Sequence, residues 1–155
     1  MASEVQQARV ERVLGVGSGR ASGSGAPAAS PEFAAAVAAW QDAQSRADSQ
    51  IAALQAVLRA SPDKDLQEIA EFGLNALTAN HRVRIQAALM DLRGGGASAA
   101  KASAAAKLVT SLMDYIDSEE RIAVCDTNPF GVRMNLHGTL TPPLGKLRAA
   151  LQAMV

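Results

Sequence analysis

Taken at alternating steps of four and three, residues 33–58 read Phe33, Val37, Trp40, Gln44, Ala47, Ile51, Leu54 and Leu58. Steps of that size return to one face of an α-helix, so the stretch predicts a long helix with one buried stripe. Its start is marked as well. Ser30 suits an N-cap, Pro31 the first helical position, and Glu32 the positive end of the helix dipole. A stripe that holds the only tryptophan of the chain must be covered by something, and further helical patterns follow it. Gln44 alone interrupts the apolar seam. A polar side chain there either pairs inside a bundle and fixes helix register, or marks a stretch of seam left open for a partner.

The pattern resumes after Arg59. Ser61 reads as a cap and Pro62 as a first helical residue, with Leu66, Ile69, Ala70, Gly73 and Leu77 facing inward. Gly73 either permits a close helix approach or weakens its turn. Thr78 reads as the cap of a third helix, with Val83, Ile85, Ala88, Leu89 and Leu92 inward. Gly94-Gly95-Gly96 stops it. A fourth helix starts near Ser98 and carries Leu108, Val109, Leu112, Met113, Ile116 and Ala123. Glu120 falls on that stripe, so either the helix breaks near Ser118 or Glu120 reaches water at the bundle's end. The segment from Asp126 to Gly131 closes the helix. Asn128 before Pro129 is biased away from helical angles, and Gly131 can adopt left-handed ones. Asn128, Pro129, Phe130 and Gly131 therefore form a structural corner, with Phe130 expected to plug the core. The last helix is expected from Thr141 as cap and Pro142, through Leu144, Leu147, Leu151 and Met154.

Upstream, residues 2–14 carry a weak helical pattern, and residues 15–29 are Gly, Ser, Ala and Pro with one Arg, the composition of a flexible linker. The domain reading is thus a flexible arm at 1–29 and a helical bundle at 30–155. Ser30-Pro31-Glu32-Phe33 also resembles the residues left at a common cloning junction. Apolar residues make up 48 % of the 155, yet aromatics only 3 %, which favours close-packed alanine-rich helices over sheets. The fold class expected is all-α, an antiparallel bundle of four or five helices behind a disordered arm.

Fifteen basic and fifteen acidic side chains cancel. That balance argues against a dedicated nucleic-acid binder and against a polybasic membrane-surface protein. No apolar run reaches the roughly 18 residues of a membrane span. Val13-Leu14-Gly15-Val16 is too short for the core of a signal peptide. Cys125 stands alone, so no intrachain disulfide forms and a reducing compartment is the default. A cytoplasmic location is expected, with signal-independent export open, and the alanine and glycine usage suggests a bacterial source.

Catalytic chemistry finds little footing. Cys125, Asp126 and His137 lie close in sequence, but no local signature of a cysteine enzyme surrounds them, and Cys125 follows an apolar run. Two histidines and one cysteine match no zinc spacing, and the acidic residues Asp114, Asp117, Glu119 and Glu120 lack the oxygen pattern of a calcium loop. No catalytic, cofactor-binding or metal residue is assigned, and no cofactor is expected. His81, Arg82 and Arg84 make a compact basic cluster at the entry of the third helix. They pair with an acidic partner or a phosphate, or face the carboxylates Asp63, Asp65 and Glu68 of the preceding helix. With Gln44 they are the candidate partner-binding residues. The leading function is a non-catalytic protein–protein interaction module, an adaptor or chaperone-like accessory, whose partner is another protein and which can self-associate. One alternative is a helical enzyme or ligand-binding domain using Cys125, Arg133 and His137. Another is an amphipathic coat for an apolar surface.

Overall fold

Ser30 does cap the first helix: the Phe33 N–H donates to its Oγ at 3.0 Å, with Pro31 in the first helical position. The structure, a computed structural model, describes residues 30–74, 76–93 and 98–155. The arm expected at 1–29 and the stop at Gly94-Gly95-Gly96 lie outside the described residues. From the cap, α1 runs Pro31–Arg59 and buries Phe33, Val37, Trp40, Ala47, Leu54 and Leu58 along the seam. Ile51 is half-buried, while Ala36 and Ala43, one step to the side, complete the stripe.

A short helix, α2 (Lys64–Glu68), passes directly into a π-helical turn, Ile69–Gly73. The widened turn has a local cause. Leu74 N–H bonds to Ile69 O, which leaves the Ala70 carbonyl free of Leu74, and the buried Gln55 side chain of α1 donates to it at 3.0 Å. Helix α3 spans Ala79–Arg93, and α4 spans Ala99–Ser118 with Ser98 as cap. A break at Glu119, whose backbone is extended, separates α4 from the short α5, Glu120–Asp126. The chain closes with α6, Leu136–Gln152.

These elements form an antiparallel helical bundle with no strand among the described residues. Helix α6 packs on both α1 and α4, α3 packs on α4, α2 and the π turn lie on α1, and α5 lies on α6. Register is visible in the cross-links. Asp117 of α4 meets His137 at the start of α6, and Thr110 meets Arg148 a few turns on, so the two helices run antiparallel. His81 against Tyr115 and Asp91 against Lys101 give α3 and α4 the same relation. No helix of the described residues is long and apolar enough to cross a membrane.

Several expected details are corrected. Asp63, not Ser61, caps α2: Asp63 Oδ1 accepts from Asp65 N–H, while Ser61 Oγ accepts from Asp63 N–H in a preceding turn. Ile69 and Val83 face outward. Helix α3 buries only Ile85, Leu89 and Leu92, a narrow stripe, and Val83 sits two residues, about 200° of rotation, from Ile85. Ala123 is exposed because the break at Glu119 resets the rotation and turns Ile122 and Cys125 inward. Phe130 is 40 % exposed and does not plug the core, whereas Met134 and Leu136 further along are buried. Gly73 makes no unusually close approach, since a Cβ there would meet Ile69 at an ordinary 3.6 Å.

The largest revision concerns α6. Thr141 is not its cap, and Pro142 and Pro143 lie inside the helix. Each proline removes the bond that an N–H would donate four residues back, to Gly138 and Thr139. The helix forms regardless because its start is anchored unusually well. Asn135 caps Gly138 N–H at 2.9 Å, and the Asp126 carboxylate of α5 accepts Leu136 N–H at 2.6 Å and His137 N–H at 3.1 Å. Thr139 is held from α1 by Gln50 Nε2, whose Oε1 also accepts Asn135 N–H.

Candidate interaction surface

The seam glutamine is paired across helices. Gln44 is half-buried, and its Oε1 accepts from Arg82 Nε at 3.1 Å; the two Nη atoms of Arg82 donate to Asp48 Oδ1 and Oδ2 at 2.8 and 3.0 Å. Asp48 lies one turn beyond Gln44 on α1, so one planar guanidinium spans both. Arg82 thus finds its carboxylate on α1, and not among Asp63, Asp65 and Glu68. This clasp joins α3 to α1, and most of its bonding capacity is satisfied internally.

The other two basic candidates go elsewhere. His81 stacks on Tyr115 of α4 with ring centroids 4.7 Å apart. Its partial burial, and then the nearby Arg84 charge, lower its pKa below the ordinary histidine value. Arg84 is exposed. Tyr115 Oη in turn accepts from Arg121, which also bonds Glu119 and holds that carboxyl below its usual range.

The corner is a turn organised by one side chain. Asn128 Nδ2 donates to Cys125 O and Val132 O, both at 2.8 Å, while its Oδ1 accepts from Phe130 N–H and Val132 N–H. Gly131 has a φ of +78°, the left-handed conformation expected of it. Cys125 is buried, and burial together with the adjacent Asp126 raises its pKa. A raised pKa favours the thiol over the nucleophilic thiolate. His137 is engaged with Asp117, and Arg133 is exposed. No group of three or more His, Cys, Asp or Glu placed to hold a metal ion occurs among the described residues.

What the sequence pattern does not single out is the outer face of α2 and the π turn. Leu66, Ala70 and Leu74 point toward α1 as a row of fours, and the opposite face carries Ile69, 46 % exposed, and Phe72, 73 % exposed. The buried Gln55 bond, with the half-exposed Arg59–Glu71 ion pair, ties the segment to α1. Asp65 and Glu68 are exposed on the same side, with Lys64 beside them. The only hint in the sequence is an aromatic residue between Glu71 and Gly73, on the side away from the inward row. A second exposed apolar pair, Val83 and Met90, lies seven residues apart on α3. Comparison of the chain with protein-family models, with curated proteins and with solved structures finds no match to any of them.

Proposed function

We propose that this chain is a non-catalytic helical interaction module, an adaptor or chaperone-like accessory that engages another protein. The observation that carries the reading is Phe72, an aromatic side chain three-quarters in water on a segment fastened to the bundle. Exposed aromatics on fixed elements are the usual anchors of protein interfaces, because they lose little conformational entropy on burial. π-Helical turns recur at functional sites, which adds weight to the same place.

The test is affinity capture from the source cells with the wild-type chain and with Phe72→Ala, followed by reconstitution from purified components. A stoichiometric partner retained by the wild type, lost by the variant and re-formed in vitro supports the module. Identical partners on both baits would refute Phe72 as the anchor.

A further inference from the structure

Around Phe72, the stretch from Arg59 to Phe72 holds four carboxylates, those of Asp63, Asp65, Glu68 and Glu71, against the two cations Arg59 and Lys64. Glu71 is held by Arg59, and Asp63 caps α2, so the exposed carboxylates beside Ile69 and Phe72 are Asp65 and Glu68. Spacing places all four on one side: Asp65 and Ile69 are four apart, as are Glu68 and Phe72. The face is therefore an apolar pair with a net acidic rim, Asp65 and Glu68 set against Lys64, the exposed cation beside them. This charge pattern discriminates among occupants. A second copy docking by two-fold symmetry would bring the acidic rim against itself. An anionic membrane would meet the same carboxylates with its own negative surface.

We infer that the Phe72 face takes an amphipathic helix from a partner protein, one whose apolar stripe is flanked by Lys or Arg. The inference rests on the module reading above and adds the chemistry of the partner. Ile69 and Phe72 supply the contact for the helix's apolar stripe, while Asp65 and Glu68 select its flanking charge and steer its approach. The electrostatic share is sensitive to salt, since exposed charges are screened within about 8 Å at physiological ionic strength.

The experiment uses the full chain and two designed helical peptides with the same leucine stripe, one flanked by lysines and the other by glutamates. Amide chemical shifts of the isotope-labelled protein report the site, and calorimetric titration reports affinity. The lysine peptide is expected to shift residues 65–74. It should bind about ten-fold tighter than the glutamate peptide at low salt, with the gap narrowing as salt rises. Phe72→Ala should weaken it about ten-fold or more, and Asp65→Asn with Glu68→Gln should erase the preference between the two peptides. Asp65, Glu68 and Phe72 are all exposed, and circular dichroism of each variant checks that it folds. Shifts confined to the Val83–Met90 side of α3, or equal binding of the two peptides, would overturn the inference. So would sedimentation showing a dimer that Phe72→Ala abolishes, or Phe72-dependent binding to phosphatidylserine vesicles. Should neither peptide bind while the captured partner still requires Phe72, the module reading survives and the basic-helix inference falls.

Discussion

Asp126 offers a sharp test of how the bundle is assembled, because one carboxylate closes two backbone donors of another helix. Leu136 and His137 are the first two residues of α6, and their N–H groups have no partner within the helix. Asp126→Ala leaves both donors short of an acceptor and removes a negative charge from a helix N-terminus. Losing a capping acceptor costs about 1 kcal/mol, and losing the favourable charge about 0.5–1 kcal/mol. The sum is about 2 kcal/mol, and for a domain of this size it lowers Tm by about 6–8 °C. Asp126→Asn keeps one acceptor and should lose about half as much. Asp117→Ala is the control: it breaks only the exposed pair with His137 and should cost under about 1 kcal/mol. Thermal melts by circular dichroism and urea titrations measure all three. If Asp126→Ala costs no more than Asp117→Ala, then Asn135 and Gln50 suffice to start α6, and Asp126 is not what lets the helix tolerate its internal prolines.

Trp40 is fully buried, and its indole N–H has no hydrogen-bond partner among the described residues. Trp40→Ala should therefore cost about 3–5 kcal/mol in chemical denaturation, whereas Trp40→Phe should stay within about 1 kcal/mol, as the lost volume is offset by removing an unpaired donor. A Cβ at Gly131 would meet open space, but φ there is positive, so Gly131→Ala should cost about 1 kcal/mol from backbone strain alone and Gly131→Asn less, read from urea midpoints. For His81 the native pKa lies below the unfolded one, so the unfolded chain binds the proton first. Its contribution to stability is complete above the unfolded value of about 6.5 and declines as pH falls from there toward the native pKa. Urea titrations at about pH 7.5 and about pH 5.5 should show a larger loss in the wild type than in His81→Gln. Equal losses would mean that His81 carries none of the pH dependence.

Helix starts written in neighbouring residues are legible in the sequence. Ser30 with Pro31 and Ser98 both cap where the local pattern puts them. The start of α6 is not legible in this way, because half of its anchor is the Asp126 side chain from another helix, and Thr141-Pro142 imitates a cap in its interior. Gln44 and Arg82 each stand out as unusual in the sequence. That one meets the other across 38 positions depends on how α3 lies on α1, which no local spacing encodes. The outward turn of Ile69 and Val83 has a similar origin. Periodicity says that a helix has an apolar face, while the width of the buried part depends on how many neighbours cover it. Phe72 is hidden for the converse reason: an aromatic residue outside the apolar row gives no periodic signal, though it is what remains visible at the surface.

The order of the helices along the chain has a consequence for synthesis. Helix α1 is made before α6, which packs along it and is completed about 90 residues later. At a translation rate of about 5–20 residues per second, the side of α1 destined for α6 waits about 5–20 s for its cover. During that interval the nascent chain presents an aromatic-bearing helix without its final partner. A stall before Leu136 would prolong that exposure.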